Sequence, residues 1–214
     1  MEPQRGEARY GLLETVRQYA WERLQELETA DEIRTRHRDW YIGFAESADI
    51  ELNSPEQLAW LERLEAEHDN LRAALQWSKE DPGGAEAELR LAGALTWFWD
   101  RRGHWSEAWG WLEGALERSG DAPRSVLPKV LLGATYSAWR QGDYGRATAL
   151  GERGRALSHD LRDENVAWFI LQLGNLATDQ GDYGRGVALY EECLALRRAL
   201  GDKWGAGMTL AQRR

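Results

Sequence analysis

The 214-residue sequence predicts an all-α fold of stacked antiparallel helical hairpins, and three observations predict it. The string "QGDYGRA" at 141–147 returns as "QGDYGRG" at 180–186. Gly142 and Gly181 stand 39 residues apart, and the same step back lands on Gly103 in "RRGHWSEAWG". Each glycine separates two apolar stretches of helical period, such as "VLLGATYSAWRQ" and "YGRATALGERGRALS". A period of this size marks a repeat architecture, whose units bury too little surface alone and therefore stack.

Taken in chain order, "RYGLLE" at 9–14 reads as a short extended piece. The following "TVRQYAWERLQELE" places Val16, Tyr19, Ala20, Leu24 and Leu27 on one helical stripe. A second helix covers 31–52 and stops at "NSP", where Ser54 caps the next helix, Pro55 takes its first position and Gln57 completes a capping box. That next helix runs to residue 80 with a kink near Asp69, and "DPGG" at 81–84 ends it. These boundaries divide the chain into an N-terminal piece at 1–30, a linker hairpin at 31–80 and repeats at 85–214.

Within one repeat, glycine ends the first helix because it enters the left-handed conformation without a Cβ penalty, and Asp143 or Asp182 caps the second helix. His104 stands where those acids stand. Trp105, Tyr144 and Tyr183 follow the glycine and are expected to pack back on the preceding helix. Ala108, Ala147 and Gly186 supply the small residue that lets the two helices approach. The fit is best at 167–200; the copy around 88–118 is degenerate, and the middle copy has Gly151 and Gly154 where larger residues are usual. At the chain's end, "WGAGMTLAQRR" aligns with the start of a further first helix, so an uncovered apolar face and self-association are expected there.

Composition narrows the function. With 43% hydrophobic and 29% charged residues the chain is of ordinary globular class, and no apolar run reaches membrane-spanning length. A net charge of -9 disfavours a phosphate-binding surface, so no direct contact with nucleic acid is expected. The N-terminus lacks a signal-peptide core and Cys193 is the single cysteine, which fits a cytoplasmic protein. Cys193 falls on the apolar side of a repeat helix, as a structural thiol does. His37, His68, His104 and His159 show no metal-ligand spacing, and no serine sits in a nucleophile elbow. No enzyme, cofactor or metal site is expected; His68 and Asp69 suggest a helix junction.

The hairpins "LQLGNLATDQGDY" and "GRGVALYEECLAL" resemble a tetratricopeptide repeat, which implies a right-handed superhelix. The period of 39 exceeds the usual ~34 of that family, and HEAT-like hairpins are the rival. A second resemblance rests on "RYGLLETVRQYAWERL", "RHRDWY" and "LEAEHDNLRAAL". Together they look like the region of bacterial STAND-type signalling ATPases and LuxR-type regulators that joins the ATPase core to a repeat array. The first string then corresponds to the tail of a winged-helix module. No phosphate loop occurs in the sequence, so the resemblance implies an upstream nucleotide-binding domain as an intramolecular partner.

A binding role points to the face of the first helices. With Leu95, Trp99, Ala138, Leu173 and Ala177 packed inward, the opposite face carries Trp97, Tyr136 and Asn175. Beside them come Asp100, Trp139 and Thr178, then Arg101, Arg140 and Asp179, and one turn earlier Arg90, Lys129 and Trp168. Aromatics interleaved with arginines suit a groove for a protein, a peptide or a small effector. The same rings would also serve simply to fill a tight superhelix. A regulatory segment of a signalling ATPase and a free-standing scaffold are the two functions these features support.

Overall fold

The computed structural model describes residues 14–120 and 122–212. Among them the regular structure is helical, with no strand: α1 Glu14–Gln25, α2 Ala30–Glu51, α3 Gln57–Ala66, α4 His68–Glu80, α5 Ala85–Ala94, α6 Thr96–Arg102, α7 Trp105–Glu117, α8 Leu127–Arg140, α9 Tyr144–Leu161, α10 Val166–Asp179, α11 Tyr183–Ala199 and α12 Lys203–Gln212. A short 3-10 turn, Arg124–Val126, leads into α8. The extended piece expected at 9–14 lies, apart from Glu14, outside the described residues. No helix among the described residues is long and apolar enough to cross a membrane.

The helices pair as four hairpins: α2 with α3 and α4, α5 and α6 with α7, α8 with α9, and α10 with α11. The first helices α2, α5, α8 and α10 pack side by side in that order, and α12 continues the stack against α11. This is the all-α helical-repeat fold expected from the period. One core runs through the first three hairpins and holds Phe98, Trp99 and Leu112; a second joins the last two around Leu173, Tyr190 and Cys193. Each fully buried large side chain contributes about 1.5–3 kcal/mol relative to leaving it in water.

The elbows behave as their glycines require. Gly103, Gly142 and Gly181 have φ of 77°, 80° and 81°, the left-handed region that ends a helix cheaply only for glycine. Asp143 and Asp182 then accept the backbone N–H of Arg146 and Arg185, both at 3.0 Å. Their aromatics depart from expectation: Tyr144 and Tyr183 are exposed, at 38% and 68%, instead of packing back on the preceding helix. Only Trp105 turns inward, its indole N–H donating to the Asp100 carbonyl at 3.2 Å. The small residues Ala108, Ala147 and Gly186 are all buried between the helices.

Four further details differ from the sequence reading. The first helix of the second hairpin breaks at Leu95 into α5 and α6, where Gly133 of α8 lies so close that a Cβ would overlap the Thr96 hydroxyl. The helix break expected near Asp69 falls at Glu67, leaving His68 to begin α4. The helix after "NSP" begins at Gln57 with Glu56 in the cap position, so Pro55 lies outside it; Ser54 accepts the Glu56 N–H at 3.1 Å, and Gln57 donates to the Leu52 carbonyl at 2.5 Å instead of closing the box. The stripe expected over 16–27 is not buried: Val16, Tyr19, Ala20 and Leu27 are exposed, Leu24 is partly covered, and Trp21 and Leu24 line a cavity with residues of α2 and α4. Arg34 stacks between the rings of Trp21 and Trp77, its guanidinium 4.4 and 4.6 Å from their centroids.

Candidate site on the face of the first helices

The residues singled out on this face gather into one network of rings and guanidinium groups. Trp97 of α6 lies 5.1 Å from the Tyr136 ring of α8 and 5.0 Å from the Trp168 ring of α10. One whole hairpin, α8–α9, separates the hairpin of Trp97 from that of Trp168, so the contact reaches over α8. Arg101 lies 5.4 Å from the Trp97 ring, and Arg140 4.7 Å from that of Trp139. Rings and arginine planes at such distances attract through the ring quadrupole and exclude water together.

Polar contacts tie the hairpins in parallel with the rings. Arg140 donates to Asp100 at 3.2 Å, and the Trp139 indole donates to Asp179 at 2.6 Å, each bond joining neighbouring first helices. Arg101 donates to the Asn53 side-chain oxygen at 2.9 Å. Arg90 and Lys129 face acids of α2: Arg90 grips Glu46 with two bonds of 2.8 and 2.9 Å, and Lys129 donates to Asp49. Both cations are therefore engaged within the chain. Asn175 turns toward its own hairpin, where it accepts the Tyr190 hydroxyl at 2.9 Å. Thr178 lies 3.3 Å from the same hydroxyl.

Burial shapes the electrostatics. Desolvation pushes the Tyr136 phenol well above its ordinary value, and the charge of Asp100 pushes the same way. Desolvation lowers Arg101, against the pull of Asp100, Tyr136 and Asp49. Desolvation also raises the carboxyl of Asp49 despite Lys129 beside it. Three donors in this region, Nη1 of Arg101, Nε2 of Gln172 and Nη2 of Arg197, are buried with no hydrogen-bond partner among the described residues. Unmet donors at a buried site cost free energy and favour an acceptor supplied from outside.

Two groups escaped the sequence reading of this face. Trp204 of α12 extends the ring network, 6.1 Å from Trp168, and Arg197 of α11 lies 4.4 Å from the Trp168 ring. By the period of 39 Trp204 aligns with Asn165 and Val126, so the repeat does not announce its place in the ring network. Arg197 belongs to a second helix and is buried at 2% exposure, which no periodic pattern announces for an arginine. A separate cluster was also missed: Glu65, His68 and His104 converge at the junction of the first two hairpins.

No family model matches the chain. Over 112 residues it is 43% identical to proteins provisionally named HTH-type transcriptional regulators from Mycobacterium bovis and Mycobacterium tuberculosis. That match covers 52% of this chain and 12% of each relative, so the chain spans a small part of their length. Among solved structures, the crystal structure of BtubC (BKLC) from P. vanneervenii superposes with a TM-score of 0.61 at 17% identity, covering 84% of this chain and 81% of that one. This likeness establishes a shared helical fold.

Proposed function

We propose that this chain is the sensing or partner-binding segment of a larger bacterial transcriptional regulator, with the face of Trp97, Tyr136, Trp139 and Trp168 as its recognition surface. The single observation that carries the reading is the ring and arginine network with its unmet Arg101 donor. A ligand that accepts from Arg101 and displaces one ring changes the packing of three hairpins at once, which is how local binding biases a neighbouring domain. The mycobacterial regulators, matched over 12% of their length, support the regulatory class. The tetratricopeptide-like repeats and the STAND-type ATPase core upstream belong to this proposal, as do its cytoplasmic location and the absence of catalysis in these residues.

Affinity capture from a bacterial lysate tests the surface, comparing the natural chain with the Arg101→Ala, Arg140→Ala double variant. Loss of specific partners while circular dichroism stays unchanged supports it; an identical set of partners overturns it. A phosphate loop in the same reading frame upstream selects the ATPase-linked form. The contact of Trp97 with Trp168 favours a second reading, in which the rings are internal packing and the chain is a scaffold. In that case the double variant loses stability and no partner.

A further inference from the structure

The junction between the first two hairpins gathers side chains of a different chemistry. Glu65 near the end of α3, His68 at the start of α4 and His104 in the elbow after α6 each present one donor atom, and the three donors lie within 4.8 Å of one another. The break at Glu67 turns Glu65 and His68 toward the elbow, and the left-handed Gly103 swings His104 onto them. The two imidazole rings are 4.6 Å apart.

Two distances have the values a metal centre needs. His104 Nε2 is 3.4 Å from Glu65 Oε2. Donors bound to zinc at about 2.0–2.1 Å and spaced by the tetrahedral angle lie about 3.4 Å apart, so one edge of the site is already formed. His68 Nε2 lies 3.1 Å from Glu107 Oε1. Glu107 in turn is gripped by Arg72 through bonds of 2.9 and 2.6 Å. Glu107, held by Arg72, accepts the His68 Nε2–H, which leaves the lone pair of His68 on Nδ1. A carboxylate holding the far nitrogen is the arrangement that orients metal-bound histidines.

We infer that Glu65, His68 and His104 bind one divalent transition-metal ion, with zinc the best match to two imidazoles and a carboxylate. Water completes the coordination on the exposed side of Glu65. The ion links α3, α4 and the α6–α7 elbow, so it fastens the first hairpin to the second and stabilises the folded chain by mass action. This site is independent of the ring network on the first-helix face.

The 214-residue chain, freed of metal by a chelator and rebuffered at pH 7.5, is titrated with zinc chloride by calorimetry and with cobalt(II) by visible absorbance. One zinc per chain, a raised unfolding temperature and the intense bands of tetrahedral cobalt are expected. His104→Ala and Glu65→Gln, both outside the core, weaken zinc binding at least about tenfold, while His159→Ala leaves it unchanged. Absence of zinc uptake, weak six-coordinate cobalt bands, or uptake that His104→Ala and Glu65→Gln do not alter each overturns the site. Circular dichroism of each metal-free variant separates lost binding from lost fold.

Discussion

Within and between the third and fourth hairpins, close contacts are made by rings against glycines. Phe169 of α10 lies where a Cβ at Gly154 of α9 would be, and Tyr190 of α11 comes so near Gly174 that a Cβ would stand 2.7 Å from its ring. Within and between the first three hairpins charged groups pair instead: Lys129 with the buried Asp49, Arg118 with the buried Glu88 and Arg72 with Glu107. Ion pairs also occur in the later hairpins: the buried Arg197 pairs with Asp202 at 2.6 Å, while Arg185 and Glu152, 2.7 Å apart, are both exposed. Such exposed pairs contribute about 0–1 kcal/mol, whereas a buried carboxylate depends on its partner. Paired buried carboxylates thus characterise the earlier hairpins and ring-against-glycine contacts the later ones. The elbows show a related difference. Asp143 and Asp182 cap their helices, while His104 makes no capping bond and is free to meet Glu65 and His68.

The largest test is Gly154→Ala. In an exposed helix this change stabilises by about 1 kcal/mol, because glycine is the poorer helix former. Here the new methyl group overlaps Phe169, and overpacking of this kind costs about 1–3 kcal/mol. A urea titration is expected to show a net loss of up to about 2 kcal/mol. A gain in stability would mean that the fit of ring to glycine does not hold the later hairpins together.

Lys129→Met tests the charged half. It leaves Asp49 buried without its counter-ion, and losses of about 3–5 kcal/mol are usual when such a pair is broken at full burial. Lys129 itself is 45% exposed, so a smaller loss of about 2 kcal/mol is expected. Adding Asp49→Asn to the same chain is expected to restore most of it, because no buried charge remains. Equal stability of the single and double variants would remove the charge argument.

The elbows give a smaller effect. Asp143→Ala and Asp182→Ala each remove a capping bond and are expected to cost about 1 kcal/mol. His104→Ala in metal-free protein is expected to cost much less, and His104→Asp to gain up to about 1 kcal/mol by capping α7. Thermal unfolding of the four variants gives the order directly. A large loss on His104→Ala without metal would show that this ring already supports the junction.

Much of this was legible in the sequence because a repeat states its plan more than once. The period located the elbows, the left-handed glycines and the capping acids. It also placed Trp97, Tyr136 and Trp168 on one face. Gly151 and Gly154 looked like weaknesses of the middle copy; in the fold they are the space that Leu173 and Phe169 occupy. That could not be read from α9 alone, since the cause lies on the neighbouring helix. The exposure of Tyr144 and Tyr183 was misjudged because the aromatic at that position packs inward only where Asp100 and Arg140 receive it, as they do Trp105. Glu65, His68 and His104 were invisible as a group because their approach depends on a helix break and an elbow 36 residues farther along. Spacing rules find metal ligands that share one helix; this cluster is assembled from three elements.

The smallest expected effect is also the most specific to the charged half. Asp49 has its carboxyl raised above the ordinary 3.8, chiefly by desolvation and despite Lys129 and Arg101 nearby. A group that binds its proton more tightly in the folded state favours folding fully below its unfolded value and loses that contribution as pH rises through the folded value. At neutral pH the ionised Asp49 is therefore a net cost, and its pair with Lys129 only limits it. Asp49→Asn on the natural background is expected to leave the chain as stable at pH 7 or to stabilise it by under about 1 kcal/mol, since neutral replacement of a buried ion is often favourable. Lys129, half exposed, returns to water at little cost. The advantage should shrink as pH falls toward about 3.8, where the natural aspartate takes up its own proton. Urea titrations of both chains at a series of pH values measure the difference. An advantage that grew on acidification would mean that Asp49 stabilises the fold as an anion, and that the first hairpins are held by charge attraction outright instead of by charges kept from harm.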